Sequence, residues 1–198
     1  MSITLWAARL ERPLSEREQE IMLALLPPGR RERLLRLPLE KQREPLCAYF
    51  ILRLALRQQY GWRDLPEISL GTMGKPGFRE NTGVEFNLSH TRGAVLVGLS
   101  DQPLGVDIER IRPVGRKVMA RLAQADTEED FFRCWVRWEA RTKRGGNGVG
   151  SILHSEAPLP PGEHYYELDT FPGYAAGLAT RSQEKPEALH RYSLDNML

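Results

Sequence analysis

Val84-Glu85-Phe86-Asn87-Leu88-Ser89-His90-Thr91-Arg92-Gly93-Ala94-Val95-Leu96-Val97-Gly98-Leu99 is the stretch that decides the fold class. Val84–Leu88 and Ala94–Leu99 are short apolar runs bounded by turn residues, and such runs read as buried strands. The polar segment from Asn87 to Gly93 joins them. Just downstream, Leu104–Ile108 reads as a third strand, within a segment that carries carboxylates at Asp107 and Glu109. Alternate residues of a strand share a face, so both carboxylates point the same way. Like charges on an otherwise apolar face repel each other and lose hydration. A hard divalent cation with oxygen ligands would offset that cost; a solvated strand end would also relieve it.

Outward from this core, helices and short strands alternate. Ile3–Ala8 reads as a strand. Ser15 and Glu18 have the spacing of a capping box ahead of Ile21, Met22, Leu25 and Leu26. Pro27-Pro28-Gly29 is expected to end that helix. Arg30–Leu37 is a short basic helix, and Glu40–Tyr60 a long amphipathic one stopped at Gly61. Ile68–Leu70 is a short strand. The glycine-rich turn Gly71–Phe78 holds Lys75 but lacks the glycine spacing and the Ser or Thr of a Walker loop. Pro113 to Asp130 is polar and partly helical. Glu128 to Arg144 is a helix with Trp135, Glu139 and Lys143 at i, i+4 and i+8, on one face. Gly145-Gly146-Asn147-Gly148 ends it. A proline-rich loop, Ser155–Glu163, precedes two strands, His164–Thr170 and Gly173–Thr180. Arg181–Leu198 is expected to be loose apart from a final apolar contact. No internal repeat is visible.

With 198 residues and 41% hydrophobic content, the chain suits one compact domain or two small packed halves. No run approaches the ~18 apolar residues of a membrane span, and the first residues lack the pattern of a signal peptide. Cys47 and Cys134 sit in apolar helical contexts, as reduced cysteines of the cytoplasm do, and no Cys/His pair has zinc spacing. The net charge of +2 is unevenly spread. Gly29 to Tyr60 carries eight Lys/Arg against three Glu, a patch suited to phosphates or an acidic partner. It lacks the interleaved aromatics of a nucleic-acid surface.

Three blocks together resemble the surfactin-type phosphopantetheinyl transferases of the holo-carrier-protein synthase superfamily. Gly74-Lys75-Pro76 matches the first. Phe86-Asn87-Leu88-Ser89-His90 with Gly105-Val106-Asp107-Ile108-Glu109 matches the second. Trp135-x-x-x-Glu139-Ala140-x-x-Lys143 and the glycines after it match the third. Weaker similarity in Arg30–Arg53 and Phe171-Pro172-Gly173-Tyr174 extends it over most of the chain. The resemblance implies an α+β fold of two similar α/β halves, 1–102 and 103–198, packed as a pseudo-dimer with the active site in the cleft. It implies transfer of the phosphopantetheine arm of coenzyme A to a serine of an acyl or peptidyl carrier protein, releasing adenosine 3′,5′-bisphosphate. Asp107, Glu109 and Glu139 would hold Mg²⁺. Glu139 would act as general base, directly or through water, and Lys143 would neutralise the departing phosphate. Lys75, Ser89, His90 and the Arg30, Arg31, Arg33 cluster would bind the nucleotide phosphates. The partners implied are coenzyme A and an acidic carrier, with no nucleic acid or membrane, and the protein would be a cytoplasmic monomer. The alternative is a degenerate member that binds without turnover, because Trp138 stands where the family has lysine and Arg110–Phe131 is short. If transfer is retained, Arg141 or the Arg30–Arg36 segment is expected to replace the lost cation, with Trp138 packed on coenzyme A or the carrier.

Overall fold

Strict alternation along two central strands sorts the core. The structure, a computed structural model, describes residues 3–71, 74–145, 159 and 161–197. Met1 and Ser2, Thr72 and Met73 of the glycine-rich turn, Gly146 to Gly148 of the glycine cluster and most of the proline-rich loop lie outside the described residues. The first sheet has the order β4 (Glu85–Thr91), β5 (Ala94–Ser100), β1 (Thr4–Arg9) and β9 (Ala188–Ser193). Trp6 and Ala8 of β1, with Val95, Val97 and Leu99 of β5, face a helical layer. That layer is α1 (Glu16–Ala24), α2 (Pro28–Leu35) and α3 (Arg43–Tyr60). Leu5, Ala7, Ala94 and Leu96 face the other way, onto Val106, Ile108, Ala176 and Leu178 of a second sheet. Its order is β6 (Gly105–Arg110), β8 (Tyr174–Thr180) and β7 (His164–Glu167), all antiparallel. Its outer face is covered by α5 (Glu128–Gly145), on which α4 (Arg116–Ala123) packs. The chain is thus an α+β protein of four layers, helix–sheet–sheet–helix. A two-stranded ribbon of β2 (Ile68–Leu70) and β3 (Pro76–Phe78) flanks the first sheet.

The expected capping box at Ser15 and Glu18 forms, and Gly61 takes the left-handed conformation (φ 71°) that closes α3. Four expectations about secondary structure need correction. Asn87 to Thr91 belong to a strand: β4 runs on to Thr91, and only Arg92-Gly93 turn the chain, because every residue before them finds a partner on β5. Pro28 opens α2 rather than closing α1, since a proline at the first helical position gives up a donor that would be unpaired anyway. The residues before α3 form a separate short 3₁₀ turn, Leu39–Lys41. The tail is not loose. β9 pairs in parallel with β1 from Thr4↔Ala188 to Arg9↔Ser193, and Leu194 and Met197 are buried after it.

Trp138 is a core residue, 2% exposed among Phe131, Phe132, Val136 and Met119, and not a surface for coenzyme A or a carrier. Phe131, Trp135 and Trp138 fall at i, i+4 and i+7, one stripe of α5 whose rings meet at 6.0 Å between centroids. Among the described residues no helix is long and apolar enough to cross a membrane.

Candidate active site

The β6 edge of the second sheet meets the inner face of β4 along a side-chain seam. Amides of β6 at Val106, Ile108 and Arg110 alternate with those bonded to β8, so they point off the sheet edge. Side chains of β4 take them. Asn87 Oδ1 accepts the Val106 amide at 2.8 Å, Ser89 Oγ that of Ile108 at 3.2 Å, and Thr91 Oγ1 that of Arg110 at 3.5 Å. The constant offset of 19 residues makes β4 and β6 parallel neighbours. The same hydroxyls donate onward to the paired carboxylates, Ser89 to Asp107 Oδ1 at 2.7 Å and Thr91 to Glu109 Oε2 at 3.1 Å. Each hydroxyl therefore caps an orphan amide and fixes one carboxylate.

Helix α5 brings the third block onto that row. It approaches β6 so closely that a Cβ at Gly105 would lie 1.9 Å from the Ala140 carbonyl oxygen. Lys143, one turn after Glu139, reaches down to Asp107 Oδ1 at 2.6 Å and Ser89 Oγ at 3.0 Å. With Ile108, Lys143 and Asp107 as partners, the Ser89 hydroxyl has its one donor and two acceptor positions filled. Arg112 neutralises part of Glu109 at 3.1 Å. Burial raises the Glu139 carboxyl above the ordinary glutamate range. The neighbouring charges of Asp107 and Glu109 add to this, and Lys143 opposes it.

Asp107, Glu109 and Glu139 are thus within electrostatic reach of one another. The second oxygen of Asp107, Oδ2, is buried without a hydrogen-bond partner in a residue that is 3% exposed. An orphaned buried carboxylate oxygen beside two further carboxylates fits a cation. No three such side chains already form a metal cage among the described residues. Mg²⁺ does not require one, since it commonly takes one or two carboxylates and completes its octahedron with water and substrate phosphates.

The expected phosphate ligands divide between places. His90 lies on the opposite face of β4 from Ser89, because adjacent strand residues point apart. It lines a cavity of about 440 Å³ with Arg30, Arg33, Tyr49 and Leu88. His90 also borders a wider cleft of about 850 Å³ toward Arg43, Glu44 and Arg92. Burial and Lys143 lower the His90 pKa, against smaller opposing effects of Glu44 and Asp107. The Arg30 guanidinium sits 4.6 Å over the Tyr49 ring. Arg31 is exposed on α2 and is not among the residues lining that cavity. Lys75 instead donates to the carbonyls of Leu104 (3.2 Å) and Arg144 (3.4 Å), bridging the start of β6 to the last turn of α5. Arg141 is buried against Glu163, which also binds Arg144.

Asn87, Thr91 and Glu163 escaped the reading of the sequence. The period-two polar row Asn87, Ser89, Thr91, repeated 18 residues on by Asp107 and Glu109, was the available signal for the first two. The Glu163 pairing with Arg141 has no sequence signature.

No family model matches the chain. The 4′-phosphopantetheinyl transferase Sfp of Bacillus subtilis (strain 168) is 26% identical over 220 aligned positions, covering 96% of this chain and 97% of that protein. The 4′-phosphopantetheinyl transferase psf-1 of Bacillus pumilus is 30% identical over 63% of this chain and 65% of its own length. The 4′-phosphopantetheinyl transferase AcpT of Salmonella typhi is 34% identical over 48% of this chain and 58% of its own. The chain is thus similar along nearly its whole length to 4′-phosphopantetheinyl transferases, and the second and third blocks of that resemblance converge on one seam.

Proposed function

We propose that the protein transfers the phosphopantetheine arm of coenzyme A to a serine of an acyl or peptidyl carrier protein and releases adenosine 3′,5′-bisphosphate. The observation that carries this reading is the cluster of Asp107, Glu109, Glu139 and Lys143, with a basic cavity at Arg30, Arg33 and His90 across β4 from it. A cavity of this size and lining suits a nucleotide phosphate. The carrier serine attacks phosphorus of the coenzyme A pyrophosphate. The new bond is serine oxygen to phosphorus, and the bond broken runs from that phosphorus to the adenosine-bisphosphate oxygen. Glu139 takes the hydroxyl proton, a role suited by its raised pKa. Lys143, already fixed by Asp107 and Ser89, offers positive charge to the leaving phosphate. Bound at Asp107, Glu109 and Glu139, Mg²⁺ would neutralise the charge that develops on the phosphoryl oxygens. The halves divide near residue 102 and pack as a pseudo-dimer, with β9 lent to the first sheet. The protein acts as a monomer in the cytoplasm, and its basic α2 face favours an acidic carrier.

Incubation with coenzyme A, Mg²⁺ and an apo-carrier should add one phosphopantetheine to the carrier mass. Asp107→Ala should abolish that gain. Failure of the unaltered protein to modify any of a panel of fatty-acid, polyketide and peptide carriers, while still binding coenzyme A, would replace transfer by plain binding. The burial of Trp138 in the core removes one of the two sequence features that favoured that alternative.

A further inference from the structure

We propose that Tyr165 is a positioning residue for Asp107, its hydroxyl steadying the free carboxylate oxygen through one shared water. The inference rests on the metal reading of Asp107.

Among the polar atoms buried without partners are Asp107 Oδ2 and Tyr165 Oη. One is an acceptor and the other a donor, and the register brings them onto one sheet face. Asp107 of β6 pairs directly with Gly177 of β8, and Gly177 pairs with Glu167 of β7, two residues after Tyr165. Tyr165 and Glu167 share the face that bears Asp107 and lies beneath α5. The tyrosine ring leans across the sheet over Gly177. A Cβ there would lie 2.2 Å from Tyr165 Oη and 2.6 Å from Cζ. Only a residue without a side chain lets the phenol pass.

Directly paired antiparallel residues hold their Cβ atoms about 5 Å apart. The phenol oxygen, sitting where the Gly177 Cβ would be, is therefore about one neighbour spacing from Asp107. Two hydrogen bonds of roughly 2.8 Å through one water span such a gap. A buried water needs at least two polar partners, and these two atoms supply them. The phenol is held in its donor form, since burial and the charges of Glu167 and Asp107 raise its pKa. The Arg137 guanidinium, 5.7 Å over the ring, holds the other side of the tyrosine. Ser89 and Lys143 fix Asp107 Oδ1; Tyr165 fixes Oδ2. A carboxylate clamped at both oxygens presents its one remaining lone pair, on Oδ2, to a cation in one orientation, and outer partners of this kind tune metal affinity.

The test is Mn²⁺ binding by electron paramagnetic resonance, with coenzyme A present, in the unaltered protein, Tyr165→Phe and Gly177→Ala. Tyr165→Phe keeps the ring and deletes only the hydroxyl. It should raise the Mn²⁺ dissociation constant about tenfold with no gain in melting temperature. Gly177→Ala should shift it in the same direction by displacing an intact phenol. Equal Mn²⁺ affinity in Tyr165→Phe and the unaltered protein overturns the role, and a raised melting temperature beside it would mark the hydroxyl as a plain unpaired donor. If the unaltered protein binds no Mn²⁺, the metal reading fails first and this inference with it.

Discussion

Replacing Gly105 by alanine puts a methyl group into the contact that holds α5 on β6. The new Cβ would stand 1.9 Å from the Ala140 carbonyl oxygen and 2.4 Å from the Arg144 amide nitrogen. Both obstacles are helix backbone, so no side chain can swing aside. To restore even a 3.0 Å approach the helix must retreat by about 1.1 Å. Overpacking of this kind costs about 1–3 kcal/mol, occasionally more. For a chain of this length each kcal/mol moves the melting temperature by about 2–4 °C, so a fall of about 2–12 °C is expected. The retreat carries Glu139 and Lys143 away from Asp107, and a 1 Å misplacement of reacting groups costs about 10²-fold in rate. The assay is the initial rate of holo-carrier formation by mass spectrometry at saturating coenzyme A, alongside calorimetric affinity for coenzyme A. Affinity should hold, because the basic cavity lies on the opposite face of β4. Gly98→Ala is the control. Its Cβ meets the Leu104 Cδ1 atom at 2.6 Å, a side-chain end that can rotate, so its losses should be smaller. A Gly105→Ala protein with the melting temperature and turnover of the unaltered chain would refute both the packing argument and the role assigned to α5.

Trp138→Lys should lower the melting temperature by about 10 °C or more, since it removes a buried ring and strands a charge in the core; near-normal stability by thermal denaturation would contradict the core placement. Glu139→Gln should abolish transfer yet raise the melting temperature at neutral pH. A carboxyl whose folded pKa is raised loses stability as pH rises past its unfolded value near 4.5, and the amide escapes that loss. By calorimetry the difference between Glu139→Gln and the unaltered protein should vanish toward pH 4, and a pH-independent difference would oppose the assignment. The His90 imidazole should titrate below 6.5 by NMR, so its contribution to stability is present above 6.5 and is lost as pH falls through its lowered pKa. Adenosine 3′,5′-bisphosphate should move that titration upward, and an unmoved titration with ligand bound would exclude phosphate at His90.

The strands were legible because Val84–Leu88 and Ala94–Leu99 are short, apolar and bounded by turn residues, and α1 and α3 because their caps are local. The carboxylate pair was legible for the same reason, since period-two spacing alone puts Asp107 and Glu109 on one face. What escaped depends on contacts between distant segments. Ser89 and His90 read together as one polar turn, yet strand geometry sends them to opposite faces. β9 looked like polar tail because none of its residues is fully buried and its pairing with β1 is set by tertiary position. Lys75 looked like a phosphate ligand, and its place at the end of α5 follows from packing across more than sixty residues of chain.

The parallel pairing of β9 with β1 also bears on how the protein is made. Thr4 waits for Ala188, so β1 is closed by a strand made much later in the chain. Until then β1 offers an open edge that carries Leu5, Trp6, Ala7 and Ala8, all fully buried once folding ends. Exposed apolar edges of this kind recruit strands from other chains, and pairings across so long a loop form slowly. During translation one edge of β1 therefore stays uncovered until β9 has emerged, and a nascent chain released earlier keeps that edge open.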